Sequence, residues 1–124
     1  MRNEWLRRKK LRYPELREHI LLMLGAPCFP VELDDNLLDY AIEQAVILIE
    51  DIFEDELPHL DCTSFLYRLL SDGAVAYAKM MLGNIRCTWT SAGLDLVDEG
   101  RDDLLTWRDE LKQLKKIFTI SSMV

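Results

Sequence analysis

The chain has 124 residues, of which 49% are hydrophobic and 30% charged, with a formal net charge of −7. That length suits one domain with a modest core and leaves little room for two, while the acidic balance argues against a dedicated nucleic-acid binder. Charge is spread unevenly: residues 1–12 carry six Lys/Arg and one Glu, whereas residues 32–61 carry eleven Asp/Glu and no Lys or Arg. Each block reads either as a docking surface or as an ordinary solvated segment.

The N-terminal segment, residues 1–13, reads as a basic arm with Arg7, Arg8, Lys9 and Lys10 beside Trp5, and it lacks the apolar run of a signal peptide. A first helix is expected from Pro14, which fits a first helical turn, to Gly25, with Pro27 beyond it as a stop. Its apolar face would be Leu16, Ile20, Met23 and Leu24, spaced by three and four. The longest stretch without charge, His19 to Val31, is broken by Gly25, Pro27 and Pro30, and a spanning helix needs about 20 apolar residues, so no membrane segment is expected.

A second helix should start at an Asp34 or Asp35 cap and run to about Phe53, burying the stripe that includes Leu38, Ala41, Ile42, Ala45 and Ile49. Asp35, Asp39, Glu43, Glu50 and Glu54 are expected off that stripe. Glu50, Asp51, Glu54 and Asp55 crowd the helix end that disfavours negative charge, which marks them either as partner-facing or as a fraying last turn before Pro58.

A third helix is expected from Thr63 or Ser64 to about Arg86, with Leu69 in the core and Gly73, Ala74, Ala76 and Ala78 allowing another helix to approach closely. The strand formers of 87–90, the Ser91-Ala92-Gly93 turn signal and the alternation at Leu94-Asp95-Leu96 predict a short β-hairpin or an extended loop, with Trp89 a candidate interface anchor. The last helix should cover about Asp98 to Phe118, with Leu104, Trp107, Leu111, Leu114 and Phe118 in a heptad-like seam and residues 119–124 as a tail. The expected fold is thus all-α: about four helices in one bundle-like domain over residues 14–118.

Chemistry-bearing motifs are sparse. Cys28, Cys62 and Cys87 form no metal-spaced pair and suit a reducing compartment; of the two histidines, His59 lies in the only Glu-x-x-His match, where Pro58 disfavours a helix. Cys62, Ser64, His59 and Asp61 share a loop and helix start without triad order, and no Gly-rich phosphate loop occurs. No catalytic, cofactor or metal site is therefore expected.

Leu24-Gly25-Ala26-Pro27, followed by Val31-Glu32-Leu33-Asp34-Asp35 and the Leu38-Asp39, Ala41-Ile42 and Ala45 series, resembles the opening of small tailed-phage head-to-tail connector proteins, also called adaptor, neck or head-completion proteins. Ala78-Lys79, Leu82-Gly83-Asn84-Ile85-Arg86 and Asp98-Glu99-Gly100-Arg101 before a charged helix are similar to their second half, so the resemblance spans residues 14–118. It implies a virion protein of the neck between capsid and tail, forming a ring, commonly of twelve subunits, against the portal and a tail or tail-completion protein. Genomic DNA would pass through without sequence-specific binding, aided by an acidic lining. The short region between the third and fourth helices departs from the longer members. The candidate interface residues under this reading are Trp5, Arg7, Arg8, Lys9, Lys10, Glu50, Asp51, Glu54, Asp55 and Trp89. The competing expectation is a small helical regulator or inhibitor that binds a single protein partner.

Overall fold

The computed structural model describes residues 13–28, 30–53, 63–86 and 91–122, and these residues are arranged as four helices without strands. They are α1 (Tyr13–Met23), α2 (Asp35–Phe53), α3 (Thr63–Arg86) and α4 (Ser91–Ser122). The all-α expectation holds, and α3 is the central element, packing against each of the other three.

Local chemistry explains the first two helix boundaries. Gly25 has φ 108°, a left-handed conformation that a side chain would strain. Around it the Gly25 amide donates to the Leu22 carbonyl at 3.1 Å and the Ala26 amide to the Leu21 carbonyl at 3.0 Å, the paired bonds of a Schellman stop. Asp34 then caps α2, because its Oδ1 accepts from the Leu37 amide at 2.8 Å and its carbonyl accepts from the Leu38 amide at 3.0 Å.

The core joins α1 to α2 and α3 through large aliphatic side chains. Leu16 and Ile20 of α1 are fully enclosed, as are Leu38, Ile42, Ile49 and Phe53 of α2, and each such side chain contributes about 1.5–3 kcal/mol by leaving water. Leu69 and Leu111 are buried as expected, whereas Leu114 only borders the core. Met23 is a correction: it is 59% exposed, and Leu21 packs toward the core instead. A second ion-paired seam fixes the α1–α2 approach, where the Arg17 guanidinium donates to both Asp39 oxygens at 2.7 and 2.8 Å and lies 3.9 Å from Asp35.

The α3–α4 interface is built differently. Trp107 is buried and its Nε1 donates at 2.9 Å to the Leu69 carbonyl, the acceptor that the helix ladder assigns to the Gly73 amide. A Cβ at Gly73 would fall within the Trp107 ring, so glycine there opens the groove in which the indole lies. Farther along, a Cβ at Gly83 would sit 2.6 Å from Val97 Cγ2 and 2.8 Å from the Gly93 carbonyl oxygen, and one at Gly100 would sit 2.8 Å from Met80 Cγ. Two helices therefore approach nearly backbone to backbone over their shared length. Each interior glycine costs about 1 kcal/mol of helix propensity relative to Ala, which close packing offsets.

The expected hairpin is overturned in the part that can be seen, since Ser91 to Leu96 form the first two turns of α4; Cys87 to Thr90 lie outside the described residues. Helix continues there because Gly93, Val97 and Gly100 fall on the same seam as Leu104, Trp107 and Leu111, so the heptad-like face begins well before Asp98. The helix also runs through Ser122, past the expected end at Phe118.

Candidate functional site

Most of the expected interface residues, Trp5, Arg7, Arg8, Lys9, Lys10, Glu54, Asp55 and Trp89, lie outside the described residues, as do His59, Asp61 and Cys62. The two that are described part company. Asp51 is exposed, but Glu50, expected off the apolar stripe, is only 8% exposed on the inner side of α2. The outward acidic edge of α2 is left to Asp51 and Glu43.

What sequence reading missed is the outer face of α2. Asn36, Tyr40, Glu43, Ile47 and Asp51 recur every three or four residues and are all exposed, so they form one outward stripe. Tyr40 is 55% exposed and Ile47 49%, large apolar surfaces held in water on a helix whose opposite side is fully packed. The signal was present as a seven-residue spacing between them, but in a helix this hydrophobic an extra Ile merges with the buried stripe. A second outward face lies on α4, where Leu94 and Leu105 are 59% and 52% exposed among charged neighbours.

Between α1, α3 and α4 lies an open cleft of about 290 Å³ whose walls include His19, Asp72, Lys79, Asp103, Trp107 and Glu110. Lys79 dominates its chemistry. Its Nζ donates to Asp103 at 2.7 Å and to Glu99 at 3.0 Å. Desolvation opposes its charge, but the hydrogen bonds to the two carboxylates outweigh that and hold the amine above its ordinary range. An ammonium so committed ties α3 to α4 and is unsuited to act as nucleophile or base. The Arg17 guanidinium is likewise raised by its hydrogen bonds to Asp39, and Tyr77 is raised by burial.

Among the described residues no group of three or more His, Cys, Asp or Glu side chains is placed to hold a metal ion, and no helix is long and apolar enough to cross a membrane. Cys28 is a free, exposed thiol. What the arrangement offers chemically is contact: two outward faces with large apolar side chains, one carried by α2 and one by α4. Comparison with protein-family models, with curated proteins and with solved structures finds no match to this chain.

Proposed function

We propose that this chain is an assembly subunit, a ring-forming adaptor of the neck that joins a phage capsid portal to the tail. The observation that carries the reading is the pair of different outward faces. A ring repeats one heterologous contact until the rotation closes, so every copy must present two unlike, complementary surfaces. Tyr40 and Ile47 with acidic neighbours supply one, and Leu94 and Leu105 on α4 supply the other. The resemblance of residues 14–118 to head-to-tail connectors supports the same assignment, and the basic segment 1–13 adds an arm suited to a partner's acidic surface.

Light scattering coupled to size exclusion, run on the full chain alone and with a portal ring, tests this. A closed oligomer, formed alone or on the portal, is expected. A chain that stays monomeric in both and binds one unrelated protein at equal stoichiometry would overturn the adaptor reading in favour of a helical regulator. Reversing the apolar character of one face, through Ile47→Lys or Leu105→Lys, should leave the helical spectrum intact and block closure from either side.

A further inference from the structure

We infer that copies of this chain pair by laying the outward stripe of α2 antiparallel on an outward stripe of α4 from a second copy, with Ile47 on Leu105, Asp51 facing Arg101 and Glu43 facing Arg108. This deepens the adaptor reading and rests on its premise that copies of the chain meet one another. What it adds is which helix takes which, in what direction and in what register.

The two stripes are opposite in charge. On α2, Tyr40 and Ile47 are 55% and 49% exposed, and the charges between and beside them, Glu43 and Asp51, are negative. On α4, Arg101, Leu105, Arg108 and Lys112 follow one another at spacings of four, three and four and are all exposed, so they share one outward face whose charges are positive. That face is basic although α4 holds more Asp/Glu than Lys/Arg, because several of its acids are drawn elsewhere. Glu99 and Asp103 pair with Lys79, and Glu110 lines the cleft beside them. Arg101 lies 3.9 Å from Asp98, an exposed pair too weak to withhold it from a partner. Both stripes are exposed in the single chain, so a contact between them needs two copies.

The spacing of the side chains fixes the direction. When Ile47 is seated on Leu105 in antiparallel helices, four residues on to Asp51 correspond to four residues back to Arg101. Seven residues back to Tyr40 correspond to seven on to Lys112, which brings an ammonium to a phenol ring. Glu43 falls within one residue of the level of Arg108, about 1.5 Å, while Asp109 is turned about 100° round the helix from Arg108. A parallel seating of the same apolar contact would set Asp51 opposite Asp109 and Tyr40 opposite Asp98, and like charges reject it. Exposed ion pairs contribute little singly, so Ile47 and Leu105 hold the helices together and the charges choose direction and register.

The test places a photo-crosslinking benzoylphenylalanine at Ile47 of the full chain, mixes isotopically light and heavy protein in equal amounts, alone and with a portal ring, and maps the adducts by mass spectrometry. Mixed-label adducts within residues 102–109 are expected, and the reciprocal probe at Leu105 should label residues 44–51. Asp51→Arg and Arg101→Asp should each lower the mixed-label yield about two- to fivefold, the effect of one exposed pair, and the two combined in one chain should restore it. Closed oligomers whose adducts lie elsewhere, or a combined variant that restores nothing, would overturn this pairing and leave the adaptor reading standing. Adducts from Ile47 of a single label, or to the portal alone, would overturn it in the same way. A dimer with the expected adducts would sustain the pairing and overturn the ring. A chain that stays monomeric in both mixtures and gives no mixed-label adduct would overturn both.

Discussion

The two sides of α3 solve the same packing problem in opposite ways. Toward α1 and α2 the contact is filled by Leu16, Ile20, Ile42, Ile49 and Phe53, bulky side chains that keep the helices a side chain apart. Toward α4 the filling is removed at Gly73, Gly83 and Gly100, and the backbones themselves approach. The first side tolerates error, since neighbouring aliphatic groups can shift to fill or yield space. The second does not, because a Cβ added at Gly83 would lie 2.7 Å from the Val97 backbone nitrogen.

Trp107 is the exception on the glycine side, and removing it is the severest way to break the contrast. Trp107→Ala should cost about 3–5 kcal/mol, because it empties the groove over Gly73 and takes one donor from the Leu69 carbonyl. Urea unfolding followed by circular dichroism would measure it, and a loss under about 1 kcal/mol would show that the indole is not the keystone described. Ile42→Ala, the matching change on the aliphatic side, should cost about 2–5 kcal/mol by the same measurement. An unchanged midpoint there would mean the buried face of α2 is misassigned.

A sharper comparison comes from adding a single methyl group. Gly83→Ala should destabilise by about 1–3 kcal/mol even though alanine is the better helix former, since backbone must move to admit the new carbon. Gly100→Ala should cost less, because the nearest atom is Cγ of the flexible Met80 side chain. Equal costs, or a gain at Gly83, would show that the helices are farther apart than described.

The smallest effect is expected from alkali. Lys79 and Tyr77 both have folded values raised above their ordinary 10.5 and 10.0, so the fold binds their protons more tightly than the unfolded chain does. The stability this gives is fully present below pH 10 and is lost as pH rises through the folded values. Lys79→Met should flatten the fall of the urea midpoint above pH 10.5, and an identical alkaline profile would remove Lys79 as its source.

That contrast also decides what could be read from sequence. The aliphatic side was legible because period and hydrophobicity coincide in α2, and Asp34 and Gly25 carry their cap and stop chemistry in their own side chains, or lack of one. The glycine side is not: Gly93 occupies a seam position but carries a turn signal in Ser91-Ala92-Gly93, so local pattern points to a hairpin where α4 has its first two turns. Whether a glycine breaks a helix or admits a neighbour depends on what lies opposite, which no local window contains. The same holds for Glu50, whose burial follows from the rotation of α2 against its neighbours. The Arg17–Asp39 pair, separated by 22 residues, likewise exists only once α1 and α2 dock. As for the site, the basic segment is plain in composition, but the outward Tyr40 and Ile47 emerge only when the inner face of α2 has been filled by others.

The antiparallel pairing of α3 with the helix that follows it has a kinetic consequence. Gly83 meets Val97 across only 14 residues of chain, so little loop entropy is lost before that contact is made, and Gly73 meets Trp107 as the same pairing extends. This helical hairpin is expected to nucleate folding, with α1 and α2 condensing on it later. Substitutions at Gly83 and Trp107 would then slow refolding, whereas Leu16→Ala and Ile42→Ala would mainly hasten unfolding in a stopped-flow chevron. The glycine seam would in that case govern how fast the fold is found, and the aliphatic layer how long it lasts.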